Sequence, residues 1–153
     1  MKHAFYDTLQ RQAEALLAGE DDLVAAMANF SALLNEHLED LNWVGFYVRR
    51  DQLLVLGPFQ GKVACTRIPW GKGVCGTAAA SDTTQRIADV HQFEGHIACD
   101  SASNSEIVVP VRHNGEVVAV LDIDSPRFNR FDEADQTGLE GLVRVFEKAL
   151  FGQ

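Results

Sequence analysis

Basic clusters are missing from this chain. Nowhere do five or more lysines and arginines run together, and 13 basic residues face 22 acidic ones, for a formal net charge of −9. Such a surface repels a phosphate backbone and an anionic bilayer alike, so neither nucleic acid nor membrane is an expected partner. Long hydrophobic runs are missing too. The longest aliphatic stretch, residues 117–121, falls far short of the ~20 residues that cross a bilayer. The opening MKHAFYDTLQRQ has no signal-peptide core, so the expected compartment is the cytosol (cytoplasmic), where thiols stay reduced. Cysteine is scarce and odd in number, three in 153 residues, which no structural disulfide framework predicts. Linkers, repeats and low-complexity tracts are lacking as well. Residues 1–153 therefore read as a single domain, and a 46% hydrophobic content is enough for one core.

What is present reads as helices at both ends of a sheet. Leu9, Ala13, Leu16 and Leu17 recur at helical spacing over residues 6–18, and Gly19 is a natural stop. Asp21 or Asp22 can cap a second helix striped by Leu23, Met27, Phe30, Leu34 and Leu38. Residues 43–49 and 53–59 are β-prone runs joined by a polar turn, and residues 65–70 suggest a third strand. Residues 74–81 read as a short alanine-rich helix and 85–90 as a short strand; residues 91–104 lack periodicity, as binding loops often do. Asn114-Gly115, a type I′ turn pair, sits between strands at 106–113 and 116–124. Asp132 can cap a last helix carrying Leu139, Leu142, Val143, Phe146 and Leu150 on one face. The class expected is α+β, a central antiparallel sheet flanked by N- and C-terminal helices.

Three groups of residues could carry chemistry. Cys75 opens the short helix behind Gly71, Gly73 and Gly76, Cys99 lies in the irregular loop near His96, and Cys65 falls on the presumed third strand. A helix N-terminus or a nearby imidazolium favours the reactive thiolate, although cysteines often only pack. A second group is acidic. Asp122 and Asp124 alternate onto one face of their strand, and Glu106 sits near the same end of the hairpin, so the three carboxyls can converge. Crowded like charges either bind a cation, such as a substrate ammonium, or keep one proton; solvated strand-end acids would explain them equally well. The third group is aromatic. Trp43 and Tyr47 share one side of the first strand, with Phe46 on the other, and can either wall a pocket for a sulfur-bearing group or belong to the core.

Two further patterns point elsewhere. His96, Cys99, Cys75 and Cys65 offer zinc donors but no Cys-x-x-Cys pair, and the acids follow no calcium-loop spacing, so no metal is expected. The segment Gly71-Lys72-Gly73-Val74-Cys75-Gly76 matches G-x-G-x-x-G, yet Arg67 and Pro69 interrupt the run before it and the following sheet reads antiparallel. Nicotinamide binding is not expected, although the turn's amides could hold a carboxylate.

Five motifs in order resemble the GAF-domain family of free methionine-R-sulfoxide reductases. They are Trp43-Val44-Gly45-Phe46-Tyr47, Gly71 to Gly76, the segment from Phe93 to Asp100, Ser105 to Pro110, and Leu121-Asp122-Ile123-Asp124-Ser125. The cysteine spacings of 10 and 24 (75 minus 65, 99 minus 75) agree with that family. The resemblance implies a GAF fold and thioredoxin-dependent reduction of free L-methionine (R)-S-oxide, with no cofactor beyond that reductant. It implies Cys99 as nucleophile, Cys65 and Cys75 as resolving thiols, Glu106, Asp122 and Asp124 as substrate-binding acids, and Trp43 and Tyr47 at the pocket's border. A homodimer is implied as well. The contrasting expectation is a GAF sensor that binds a small ligand such as a cyclic nucleotide, faintly suggested by Asn129-Arg130-Phe131-Asp132-Glu133. A pure binder, however, has no need for three cysteines so placed.

Overall fold

A computed structural model describes residues 1–96 and 102–152. Helices α1 (Lys2–Leu17) and α2 (Leu23–His37) lead into strands β1 (Trp43–Arg50), β2 (Leu53–Gly61) and β3 (Arg67–Pro69). Helix α3 (Gly73–Ser81), strand β4 (Gln85–Ile87) and a short 3-10 turn (Val90–Gln92) follow, then β5 (Ser105–His113), β6 (Glu116–Ser125) and α4 (Glu133–Phe151). The strands form one six-stranded sheet in the order β3-β2-β1-β6-β5-β4, with every neighbouring pair antiparallel. The expected α+β arrangement is thus present, and no helix among the described residues is long and apolar enough to cross a membrane.

Local chemistry sets the helix ends. The Asp22 side chain accepts from the Ala25 amide at 2.9 Å, capping α2. Asp132 and Asp135 form a reciprocal capping box at the start of α4. Helix α1 starts earlier than periodicity alone suggests because Lys2 reaches Asp132 and Asp135 at 2.9 and 2.8 Å, pinning the first turn to α4. Asp135 is buried and also accepts from the Tyr6 hydroxyl at 2.8 Å.

The sheet separates two apolar clusters. Its outer face packs on α1, α2 and α4, where Phe30, Phe46 and Phe146 meet with ring centroids 5.2–5.8 Å apart. Its inner face carries Trp43, Tyr47, Val108 and Val120 beneath α3. Strand alternation assigns each residue to a side, as Phe46 and Tyr47 show. The Asn114-Gly115 turn has φ of 54° and 78°, the left-handed pair that a type I′ hairpin requires.

Candidate active site

The site lies on the inner face, where β1, β5 and β6 run side by side beneath the first turn of α3. Glu106 pairs directly with Asp124 across β5 and β6, and Asp122 sits opposite Val108. Across the other edge of β6, Trp43 faces Asp124 and Gly45 faces Asp122. Residues opposite one another in an antiparallel pair project from the same face. All three carboxyls therefore enter the cavity lined by Trp43, Tyr47, Cys75, Glu106, Asp122 and Asp124, a convergence the hairpin count only suggested.

That convergence depends on an irregularity. A hairpin closed by two residues alone would pair Glu106 with Ile123, placing the glutamate on the opposite face from both aspartates. The register shifts between Val111 and Arg112, so that Val111 pairs with Ala119 but Arg112 with Val117. The extra residue in β6, Val118, is a β-bulge, and it moves Glu106 into line with Asp124.

The acids are 5–8% exposed, deep enough that their charges interact strongly. Burial, then the neighbouring Asp122 and Asp124 charges, push the Glu106 carboxyl well above the ordinary range. Burial also raises Asp122, against hydrogen bonds from Glu106, Cys75 and Asp124 that favour its charged form. The Asp122 Oδ1 atom is buried without a hydrogen-bond partner among the described residues. One acid therefore tends to stay protonated while the cluster still presents negative charge to a cation.

Helix α3 supplies the roof. Gly73, Val74 and Cys75 line the cavity from its first turn, and no side chain among the described residues caps that end. Its free amides carry partial positive charge suited to a carboxylate. Gly76 is required here because a Cβ would stand 2.5 Å from the Pro69 carbonyl oxygen. Contact of that closeness seats α3 on the end of β3. The glycine motif thus serves helix docking within an antiparallel sheet, and no βαβ unit accompanies it.

The two described cysteines differ sharply. Cys75 is a free, buried thiol. Burial first, and then the Asp122 charge, push it well above its ordinary value, while it donates to Asp122. Cys65 is disulfide-bonded and half-buried. The expected third strand began at Cys65, but β3 starts at Arg67, and Cys65 belongs to the loop before it. Two aromatic side chains tie that loop down: the Tyr47 hydroxyl donates to the Cys65 carbonyl at 2.9 Å, and Trp43 Nε1 donates to the Lys62 carbonyl at 3.2 Å. Trp43 stacks on Tyr47 and Phe59 at 5.8 and 5.0 Å. Cys99, the expected nucleophile, lies outside the described residues.

Two lining residues escaped the sequence reading in this role. Ser103 is buried, lines the cavity and accepts from Asn42 Nδ2 at 3.0 Å. His96, considered as a zinc ligand and as a neighbour of Cys99, also lines the cavity, and burial followed by the His91 charge lowers it toward the neutral form. Neither carries a local pattern that separates it from ordinary loop polarity.

A sheet with α1, α2 and α4 on one face and a carboxyl-lined pocket under a short helix on the other is the architecture of a GAF domain. The GAF domain family model matches residues 20–150. The chain is 58% identical over 149 residues to free methionine-R-sulfoxide reductase of Escherichia coli K12, covering 97% of this chain and 90% of that one. The substrate complex of the Staphylococcus aureus fRMsr superposes with a TM-score of 0.91 at 52% identity, covering 95% of each chain. Free methionine-R-sulfoxide reductase from Neisseria meningitidis, also solved with its substrate, gives 0.93 at 46% identity, covering 97% of this chain and 90% of that one. The chain belongs to the free methionine-R-sulfoxide reductase family.

Proposed function

We propose that this protein reduces free L-methionine (R)-S-oxide to L-methionine, with thioredoxin as the reductant. The observation that carries the reading is the buried meeting of Glu106, Asp122 and Asp124 beside an uncapped helix N-terminus. Acids at that depth call for a cation, and the helix end calls for an anion. A free amino acid supplies both, as ammonium and carboxylate. Relatives of known structure were solved with substrate, which supports the same ligand here.

In this reading Asp122 and a neighbouring acid hold the ammonium, and the α3 amides hold the carboxylate. Glu106, kept protonated by burial and its neighbours, hydrogen-bonds the sulfoxide oxygen and makes it a better leaving group. The Cys99 thiolate attacks the sulfoxide sulfur. With a proton from Glu106 the substrate S–O bond breaks as the oxygen passes to the Cys99 sulfur. The bond from Cys99 to the substrate sulfur breaks as methionine, now a thioether, departs and leaves Cys99 a sulfenic acid. Cys65 condenses with the sulfenic acid, releasing water and leaving a disulfide. The dithiol of thioredoxin returns both cysteines to thiols by exchange. Resolution is assigned to Cys65 because it is disulfide-bonded while Cys75 is a buried free thiol, which leaves Cys75 in the pocket wall.

A thioredoxin-coupled assay with the free sulfoxide tests the proposal. Turnover is expected from the native protein and none from Cys99→Ser; ordinary turnover by that variant removes Cys99 from the nucleophile role. A ligand-sensing module would bind the amino acid without consuming it. Peptide-embedded methionine sulfoxide, lacking the ammonium, should not compete.

A further inference from the structure

We propose that the pocket is also an inhibitory site for a thiophilic divalent cation of the zinc class, held by Cys75 Sγ and the carboxylates of Glu106 and Asp122. These three side chains are all buried, and one donor atom from each lies within 4.8 Å of the others. Ligands around a tetrahedral zinc stand about 3.5 Å apart, so small side-chain rotations close the set. The independent observation is Asp122 Oδ1. Its residue is only 5% exposed and lines the cavity, yet this oxygen has no hydrogen-bond partner among the described residues. A buried acceptor left open in this way is a site awaiting a donor or a cation.

Donor chemistry selects the ion. Calcium and magnesium take oxygen ligands almost exclusively, whereas one sulfur and two carboxylates suit zinc or cadmium. Three protein donors leave a fourth position facing the cavity, where water or the neutral ring of His96 can complete the shell. The set differs from the zinc donors that sequence spacing suggested, because the acids replace Cys65 and Cys99. On binding, the Cys75 thiol and the Glu106 carboxyl each give a proton to solvent, their sulfur and oxygen lone pairs form the metal bonds, and no electron moves. The cation then takes Asp122 from the substrate ammonium and Glu106 from the sulfoxide oxygen, so the metal excludes substrate and is no cofactor.

The test is a titration of fully reduced protein with Cd²⁺, followed by the ultraviolet thiolate-to-cadmium charge-transfer band. One Cd²⁺ per chain is expected, with the band. A Cys65→Ser/Cys99→Ser variant, whose sole thiol is Cys75, should keep the band; its loss there overturns the proposal. Cys75→Ser should abolish the band, and Asp122→Asn should weaken binding at least tenfold, with circular dichroism confirming that both variants fold. A band surviving in Cys75→Ser, or native protein that takes up no stoichiometric cadmium, also overturns it. The inference shares its pocket with the reductase reading, but these measurements need no turnover, so one can fail without the other. In the coupled assay Zn²⁺ should raise the apparent KM for the sulfoxide without lowering kcat; purely noncompetitive inhibition places the metal elsewhere and sinks the claim.

Discussion

At Glu106 stability and chemistry pull in opposite directions. Its carboxyl is held well above the ordinary range by burial and by Asp122 and Asp124. In the unfolded chain it would ionise near about pH 4.3. As pH rises past that point the unfolded state releases a proton that the fold retains, so stability falls toward neutrality. Glu106→Gln removes the proton equilibrium and the repulsion. The ligand-free variant should melt about 2–4 °C above the native protein at pH 7, as expected for about 1 kcal/mol in a domain of this size. That gap should close toward pH 4. The same substitution should lower kcat/KM for the free sulfoxide by about 100-fold or more, since an amide cannot protonate the oxygen. Calorimetry across pH and the coupled assay check the two halves separately. An unchanged kcat/KM reassigns the acid.

Helix packing gives a second contrast, between two glycines on α4. A Cβ at Gly138 would stand 2.2 Å from Cγ of the Tyr6 ring, which is itself held by Asp135. At Gly141 the obstacle is Gln10 Nε2 at 2.3 Å, the tip of a flexible chain held, among the described residues, only by a 3.4 Å donation to the Gly138 carbonyl. Alanine gains about 1 kcal/mol over glycine in a helix interior, while overpacking a fixed ring costs about 1–3 kcal/mol. Gly138→Ala should therefore lower the urea midpoint, and Gly141→Ala should leave it unchanged or raise it. Equal effects would show that the α1–α4 contact yields more easily than its geometry indicates. Much at this scale was legible in sequence: Asp132 as a cap and Asp21 or Asp22 as another, Asn114-Gly115 as the hairpin turn, residues 74–81 as a helix. These are local signals, in which a side chain satisfies backbone groups within a few residues. The start of α1 was not legible, because Lys2 finds its partners on α4. Nor was Cys65 as a loop residue, since the aromatic tethers on that loop come from β1.

Across the molecule, the sheet isolates an apolar outer core from an acidic inner pocket, in a chain already carrying a net charge of −9. Charge repulsion in the pocket grows with pH, so a ligand bringing an ammonium should stabilise most where the acids are most ionised. Free methionine sulfoxide should raise Tm more at pH 7 than at pH 5, and its N-acetyl derivative should raise it at neither; an equal shift from the acetylated compound would remove the ammonium from the recognition scheme. The order of elements, their caps and turns, and which residues could react were all written into neighbouring stretches of chain, because helical and strand periodicity and turn chemistry act over short range. Whether three acids formed one site was not. Counting back from Asn114-Gly115 puts Glu106 level with Ile123, and a single bulged residue, Val118, carries it to Asp124 instead. A strand has a period of two, so one residue of slip turns a side chain from core to pocket, and packing on both faces of the sheet selects the slip.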